Sequence, residues 1–157
     1  MTAALETLQS SLNNELNLVQ RFIDILRVEA DALDQPDKTD LLNNSTQEKN
    51  NSIEQLAKAG KARENALMAL DYAPSRAGLE EAAQTHPELG PACRQLFELG
   101  QEASRLNAAN GAAIDTYLRH TQQALQALQP LVGGSGLYDA SGKPGAIKGQ
   151  RKTITAG

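Results

Sequence analysis

The sequence is poor in the residues on which catalytic and metal sites depend. It contains one cysteine, two histidines and no tryptophan, and aromatic residues make up 3% of the chain. A single cysteine excludes a disulfide framework and a multi-thiolate metal site. His86 and His120 are too far apart in sequence for a typical zinc motif, and so few rings offer little area for a compact enzyme core. The sequence therefore predicts no metal, no cofactor and no catalytic residue.

Charge and hydropathy exclude two further classes of protein. The formal net charge is −4, whereas a nucleic-acid-binding protein needs a surplus of lysine and arginine on one face. No run approaches the roughly 20 apolar residues that span a bilayer. The first residues, MTAALETLQS, have neither the basic nor the apolar region of a signal peptide. These features predict a cytoplasmic protein without stable membrane insertion.

The first long stretch without proline, Thr2 to Leu33, has an apolar residue at every seventh position. Its first seam is Leu5, Leu12, Val19, Leu26 and Leu33, and a second seam runs through Leu8, Leu16, Ile23 and Ala30. A seven-residue apolar repeat is typical of helices that supercoil around one another. The stretch therefore predicts one long helix.

A second helix is predicted from about Asp40 to Tyr72, after a turn at Pro36. Asp37 or Thr39 is a candidate N-cap, since a short side-chain oxygen can accept a bond from an unpaired amide. The seams of this helix are Leu42, Lys49, Leu56, Arg63 and Leu70, with Thr46, Ile53, Gly60 and Leu67 alongside. Lys49 and Arg63 interrupt the apolar repeat, which predicts weaker packing and a fixed register.

A short helix is predicted at about Arg76 to Thr85, and a third long helix from Pro87–Pro91 to about Gln129, ended by Pro130 and Gly133–Gly134. The seam of the third long helix is Leu89, Leu96, Ala103, Asn110, Tyr117, Ala124 and Leu131, flanked by Cys93, Leu99, Leu106, Ile114 and Leu128. The fold class is thus all-α. We expect residues 1–132 to form an antiparallel bundle of three long coiled-coil-like helices with a short intervening helix. Self-association is a further way to bury the seams.

Residues 133–157 differ in composition from the rest. They hold seven of the 12 glycines and four basic residues against one acid, Asp139. With so few apolar side chains, this segment cannot offset the entropy of ordering itself. We expect a flexible, Gly-rich, basic C-terminal tail that is disordered when free.

The reactive side chains have simpler explanations than catalysis. Cys93 lies on the seam of the third long helix, where a buried structural thiol is expected rather than a nucleophile. His120 invites comparison with histidine phosphotransfer domains, which are also helical bundles, but the Lys-Gly expected after their histidine is replaced by Thr121 and Gln122. Carboxylate pairs such as Glu80–Glu81 are expected on solvated helix faces.

One motif, LNAANG at Leu106, Asn107, Asn110 and Gly111, stands out on the third long helix. Asparagine is a poor interior helix former, and glycine costs about 1 kcal/mol relative to alanine. A buried amide must also find partners. Register control, as by a lone seam asparagine in coiled coils, and a functional role are equally open.

With this motif and the tail, the sequence resembles the FlgN family of flagellar export chaperones over nearly its whole length. The similarity comprises the Leu-rich first helix, Lys49 and Arg63 in the second, LNAANG in the third and LYDASGKPG at the start of the tail. The stretch 73–91 departs from the family pattern. The resemblance implies a non-enzymatic chaperone that binds hook-filament junction (hook-associated) proteins, prevents their premature assembly and delivers them to the flagellar export gate.

The family assigns client contacts to its C-terminal region and gate docking to a tyrosine, which corresponds to Tyr138 here. Apolar residues spaced as anchors for a helix-in-groove contact are the predicted client-binding residues: Tyr117, Leu118, Leu125, Leu128, Leu137, Ile147 and Ile154. The alternative from another class is a structural coiled-coil adaptor with a linker tail, and a phosphotransfer domain using His120 is a third.

Overall fold

The computed structural model describes residues 1–35 and 37–132. Helix α1 spans Ala3–Leu33, α2 spans Thr39–Ala69, α3 spans Arg76–Thr85, and α4 spans Gly90–Val132 after a 3₁₀ turn at Pro87–Leu89. The part of the chain that is described contains no strand, which confirms the all-α prediction. The predicted tail, 133–157, lies outside the described residues.

The ends of the helices follow local chemistry, with three departures from prediction. The hydroxyl of Thr2 accepts a bond from the Leu5 amide at 3.2 Å and caps α1. The N-cap of α2 is Lys38, without a side-chain bond. The prediction that Asp37 or Thr39 caps this helix is therefore wrong, since Thr39 is its first helical residue.

Helix α2 ends three residues before the predicted Tyr72 because the chain turns there. Asp71 has φ 63°, and the Tyr72 amide donates to the carbonyl of Leu67 at 3.0 Å. This is a Schellman motif, which closes a helix by a residue of positive φ. Helix α4, in contrast, continues to Val132 and includes Pro130, so the prediction that this proline ends the helix is wrong. A proline in the last turn removes only one backbone hydrogen bond.

Helices α1 and α2 pack side by side in opposite directions. Glu15 pairs with Arg63 and Glu29 pairs with Lys49. Residue numbers therefore fall along α2 as they rise along α1, as in an antiparallel pair. The predicted second seam holds at Leu67, which is fully buried, and fails at Thr46 and Ile53, which are exposed while the residue before each is buried. The buried seam is Ser45, Ser52, Ala59 and Ala66. Small side chains at these positions allow α2 to approach the large residues of α1 closely.

The apolar core lies toward the end of the bundle where α3 sits. Leu79, Ala82 and Leu89, from α3 and the 3₁₀ turn, are at most 2% exposed and join the core. A Cβ on Gly78 would lie 1.9 Å from the Ala73 carbonyl oxygen, so only glycine fits this turn. The stretch 73–91, for which the sequence suggested no role, thus closes one end of the bundle.

Helix α4 begins in this core and runs in the same direction as α1. Leu96 and Gly100 line a groove with Glu15 and Val19, and Asn110 lies against Leu26 further along both helices. The predicted seam is buried at Leu89, Leu96, Ala103 and Asn110. The chain divides into two compact units after Asn110. In the second unit Leu131 is 80% exposed, so its assignment to the seam is wrong.

Candidate binding surfaces

Asn110 joins α4 to α1 and α2 through a buried polar cluster with Glu29 and Lys49. Its side-chain amide donates to the Leu26 carbonyl at 2.8 Å and to Oε1 of Glu29 at 3.0 Å. Lys49 Nζ donates to the same oxygen at 3.1 Å. Asn110 is 4% exposed and Glu29 is fully buried. One residue from each long helix therefore meets in this cluster, which fixes the register of all three.

The Glu29 carboxylate is only partly satisfied by this arrangement. Its Oε1 accepts two bonds, while Oε2 has no hydrogen-bond partner among the described residues. The hydroxyl of Ser52, on the same part of α2, is also buried without one. Unsatisfied polar atoms cost about 1–3 kcal/mol each when buried. This part of the bundle therefore contributes less to the free energy of unfolding than its burial suggests.

Glu15 and Arg63 form the second polar contact between α1 and α2. Both carboxylate oxygens accept from Nη1 of Arg63, and the side chains are 6% and 27% exposed. Beside them, the Arg76 guanidinium lies 4.1 Å from the centre of the Phe97 ring and donates to Glu80 at 2.9 Å. The charges in this groove are thus paired within the bundle.

Sequence reasoning identified Lys49 and Arg63 as interruptions but missed their partners. The signal was in the spacing: Glu15 and Glu29 are 14 residues apart on α1, as are Lys49 and Arg63 on α2. Two acids and two bases at equal spacing on antiparallel helices can pair in only one register. The bases therefore lie opposite acids in the structure.

The predicted client-binding residues that are described lie in the second unit, on α4. Leu118 and Leu125 are half-buried, and Leu128 is 48% exposed. With Ile114, these positions fall within an arc of about 80° at 100° per residue. The side chain of Tyr117 is outside the description, as are Leu137, Tyr138, Ile147 and Ile154. In the LNAANG motif, Leu106 and Gly111 are half-buried and Asn107 is exposed.

The cysteine and the histidines show no arrangement for chemistry. Cys93 is 3% exposed, and burial raises the pKa of its thiol, an effect that Arg94 partly opposes. His86 stacks edge-on against Tyr72, with ring centres 6.2 Å apart, while His120 is exposed. Within residues 1–35 and 37–132 no group of three potential ligands is placed to hold a metal ion. No described helix is long and apolar enough to cross a membrane.

The family of the chain follows from its match to a family model. The family model described as FlgN protein matches residues 1–145, a range that includes α1, α2, α3, all of α4 and the start of the tail. The chain belongs to the FlgN family. Comparisons with curated proteins and with solved structures give no match. The resemblance drawn from the motifs is thereby confirmed.

FlgN is a family of flagellar export chaperones rather than of enzymes, and this chain shares that general role. Its sites are accordingly surfaces for protein partners. The described part of this FlgN protein offers two candidate surfaces. One is the apolar stripe on α4 formed by Ile114, Leu118, Leu125 and Leu128. The other is the part of the bundle around the buried Glu29.

Proposed function

We propose that this FlgN protein is a cytoplasmic chaperone for hook-associated (hook-filament junction) proteins. It binds them before export, prevents their premature assembly and delivers them to the export gate. Family membership supports export chaperoning in general, and the composition favours a binding protein. The observation that carries the client assignment is the apolar stripe on the second half of α4.

The stripe has the spacing of a helix-in-groove contact. Ile114, Leu118, Leu125 and Leu128 stand at i, i+4, i+11 and i+14, which places one residue on the same face at almost every turn. No described side chain of α4 beyond Asn110 is buried. Aliphatic residues in this arrangement suit an amphipathic helix of a partner, the kind of segment that the family protects.

The client site is tested by making the stripe polar, with circular dichroism to check that each variant keeps its helix content. Leu118→Asn with Leu125→Asn should weaken binding of a co-purified hook-associated protein at least tenfold, about 1.4 kcal/mol. Thr116→Asn with Gln123→Asn is the matched control, because these positions lie about 180° from the stripe. Titration calorimetry measures both. Equal affinity of the two variants would move the client site away from α4.

The tail is proposed to complete the client site and to dock on the gate. Truncation after Gly134 removes Leu137, Ile147 and Ile154 and should lower client affinity at least tenfold. Tyr138→Ala should leave client affinity nearly unchanged and impair secretion, because an aromatic ring among glycine and aspartate suits an anchor for a second partner. Normal secretion by Tyr138→Ala would remove the docking role.

A structural adaptor with a linker tail is the alternative function. It is favoured if Leu137, Ile147 and Ile154 are dispensable for partner binding and if the chain stays with its partner in an assembled structure. A phosphotransfer role would require His120 to take up phosphate from a donor such as acetyl phosphate, and failure to do so ends that hypothesis.

A further inference from the structure

The two ends of α2 are held in the bundle by different kinds of contact. In the described chain, the contiguous apolar core takes Leu56, Ala66 and Leu67 from α2, with Leu70 at its C-cap, and nothing before Leu56. We name residues 39–52 the α2 flap; its length is about 21 Å, nearly four turns. The buried residues of the flap are Ser45 and Ser52, at 3% and 2% exposure.

The α2 flap therefore contributes little hydrophobic free energy to its own packing. Serine side chains bury almost no apolar area, and the Ser52 hydroxyl lacks a described hydrogen-bond partner. The main directional contact of the flap is Lys49 with Glu29. A buried ion pair contributes little net stability, since the desolvation of both charges offsets their attraction. Segments with few buried apolar contacts open locally at a small fraction of the global free energy.

Beneath the flap lie two leucines and a glutamate of α1. In the register set by the two ion pairs, Ser52 is level with Leu26 and Ser45 with Leu33. Leu26 is completely buried. Glu29 lies between them, with one carboxylate oxygen that has no hydrogen-bond partner among the described residues. Opening of the flap exposes an apolar surface on α1 with one carboxylate at its centre.

We propose that the α2 flap is displaceable, and that the surface of α1 beneath it receives an amphipathic helix of the exported partner carrying a lysine or arginine opposite Glu29. The partner's base replaces Lys49 and, with large apolar residues where the flap has serines, buries more apolar area. Charge complementarity with Glu29 selects the occupant. The identity of the partner rests on the proposed function, whereas the opening of the flap does not.

Opening of the flap is measured by thiol labelling of the full chain. In a Cys93→Ala background, Ser52→Cys is compared with Ala66→Cys, because the two positions are buried to 2% and 5% on the same helix. We expect the cysteine at 52 to react with Ellman's reagent at least a hundredfold faster, about 2.7 kcal/mol. Rates within threefold of each other would overturn the proposal. Hydrogen exchange of the unaltered chain gives the same comparison between residues 39–52 and 56–69.

The role of Glu29 is tested with two matched double variants. Glu29→Met with Lys49→Met removes the charge beneath the flap, and Glu15→Met with Arg63→Met removes the pair at the other end of the same helices. We expect the first to weaken binding of a hook-associated protein at least tenfold and the second to change it less than threefold. Equal effects would refute a specific contact with Glu29.

Client binding should also displace the flap. A saturating hook-associated protein is expected to accelerate labelling of the cysteine at 52 at least tenfold, while that at 66 is unchanged. Unchanged labelling at 52, with the client bound, places the client on α4 alone and overturns the docking half of the proposal. Failure of the client to bind the unaltered chain refutes both the proposed function and this docking. Labelling of the free chain decides independently whether the flap opens.

Discussion

Removal of Arg63 is the most direct test of how this bundle is held together. Arg63→Met keeps an unbranched side chain on α2 but leaves the Glu15 carboxylate, 6% exposed, without the guanidinium that donates to both of its oxygens. Breaking a buried pair from one side costs about 3–5 kcal/mol, because the remaining charge stays buried. The groove beside Glu15 admits some solvent, so we expect the lower value, about 3 kcal/mol.

The assay is urea unfolding followed by circular dichroism, with a thermal melt beside it. A loss of about 3 kcal/mol corresponds to a fall in Tm of roughly 10 °C for a chain of this size. Lys61→Met is the control on the same helix, since Lys61 is 68% exposed and its pair with Glu64 has a separation of 3.8 Å. Exposed pairs contribute about 0–1 kcal/mol.

The double variant Glu15→Met with Arg63→Met separates the two effects. Replacing both charges by apolar side chains is often neutral or stabilising by about 1–4 kcal/mol, so the double variant should recover all of the stability lost by Arg63→Met. This account of the pair is refuted if the free energy of unfolding of Arg63→Met lies within about 1 kcal/mol of that of the unaltered chain. It is also refuted if the double variant is less stable than Arg63→Met.

Three further predictions concern single residues. In urea unfolding, Asn110→Ala should destabilise the bundle by about 2 kcal/mol, because Glu29 and a backbone carbonyl each lose a hydrogen-bond donor. Asn107→Ala, at an exposed position, should stabilise the bundle slightly in the same assay. Gly78→Ala should destabilise it by more than 2 kcal/mol, since its Cβ would overlap a backbone oxygen, while Gly111→Ala, with open space around it, should raise stability by about 1 kcal/mol. Burial raises the pKa of the Cys93 thiol, so the unfolded chain ionises at a lower pH than the folded one. The free energy of unfolding should therefore be constant with respect to this thiol below about pH 8 and should fall as the pH rises above about 8.5. Cys93→Ala should remove that fall.

The seven-residue repeat predicted the helices well because it records burial directly. Leu5, Leu12 and Leu26 recur at this spacing and are at most 4% exposed, and the short helix was placed at Arg76–Thr85 as observed. The positions of the main helices could therefore be derived from the sequence, whereas the N-cap of α2 and the end of α4 could not, since neither Asp37 nor Thr39 caps α2 and Pro130 does not end α4.

The first half of the second seam of α2 could not be derived in the same way. Ile53 is apolar and was assigned to the seam, yet it is 46% exposed while Ser52 is buried. Hydropathy favours isoleucine over serine at a buried position. The geometry favours serine, because a small side chain lets α2 approach α1 closely enough for Lys49 to reach Glu29. Such a choice depends on the residue across the interface.

By itself, the sequence determined the all-α class, the main helices and membership of the FlgN family, since each rests on local periodicity or on the order of motifs along the chain. Only the tertiary structure decided which polar residues are buried together. Glu29, Lys49 and Asn110 lie far apart in sequence and are each unfavourable on a seam. Their mutual hydrogen bonds make them compatible with burial, and that compensation exists only once α1, α2 and α4 are packed in one register.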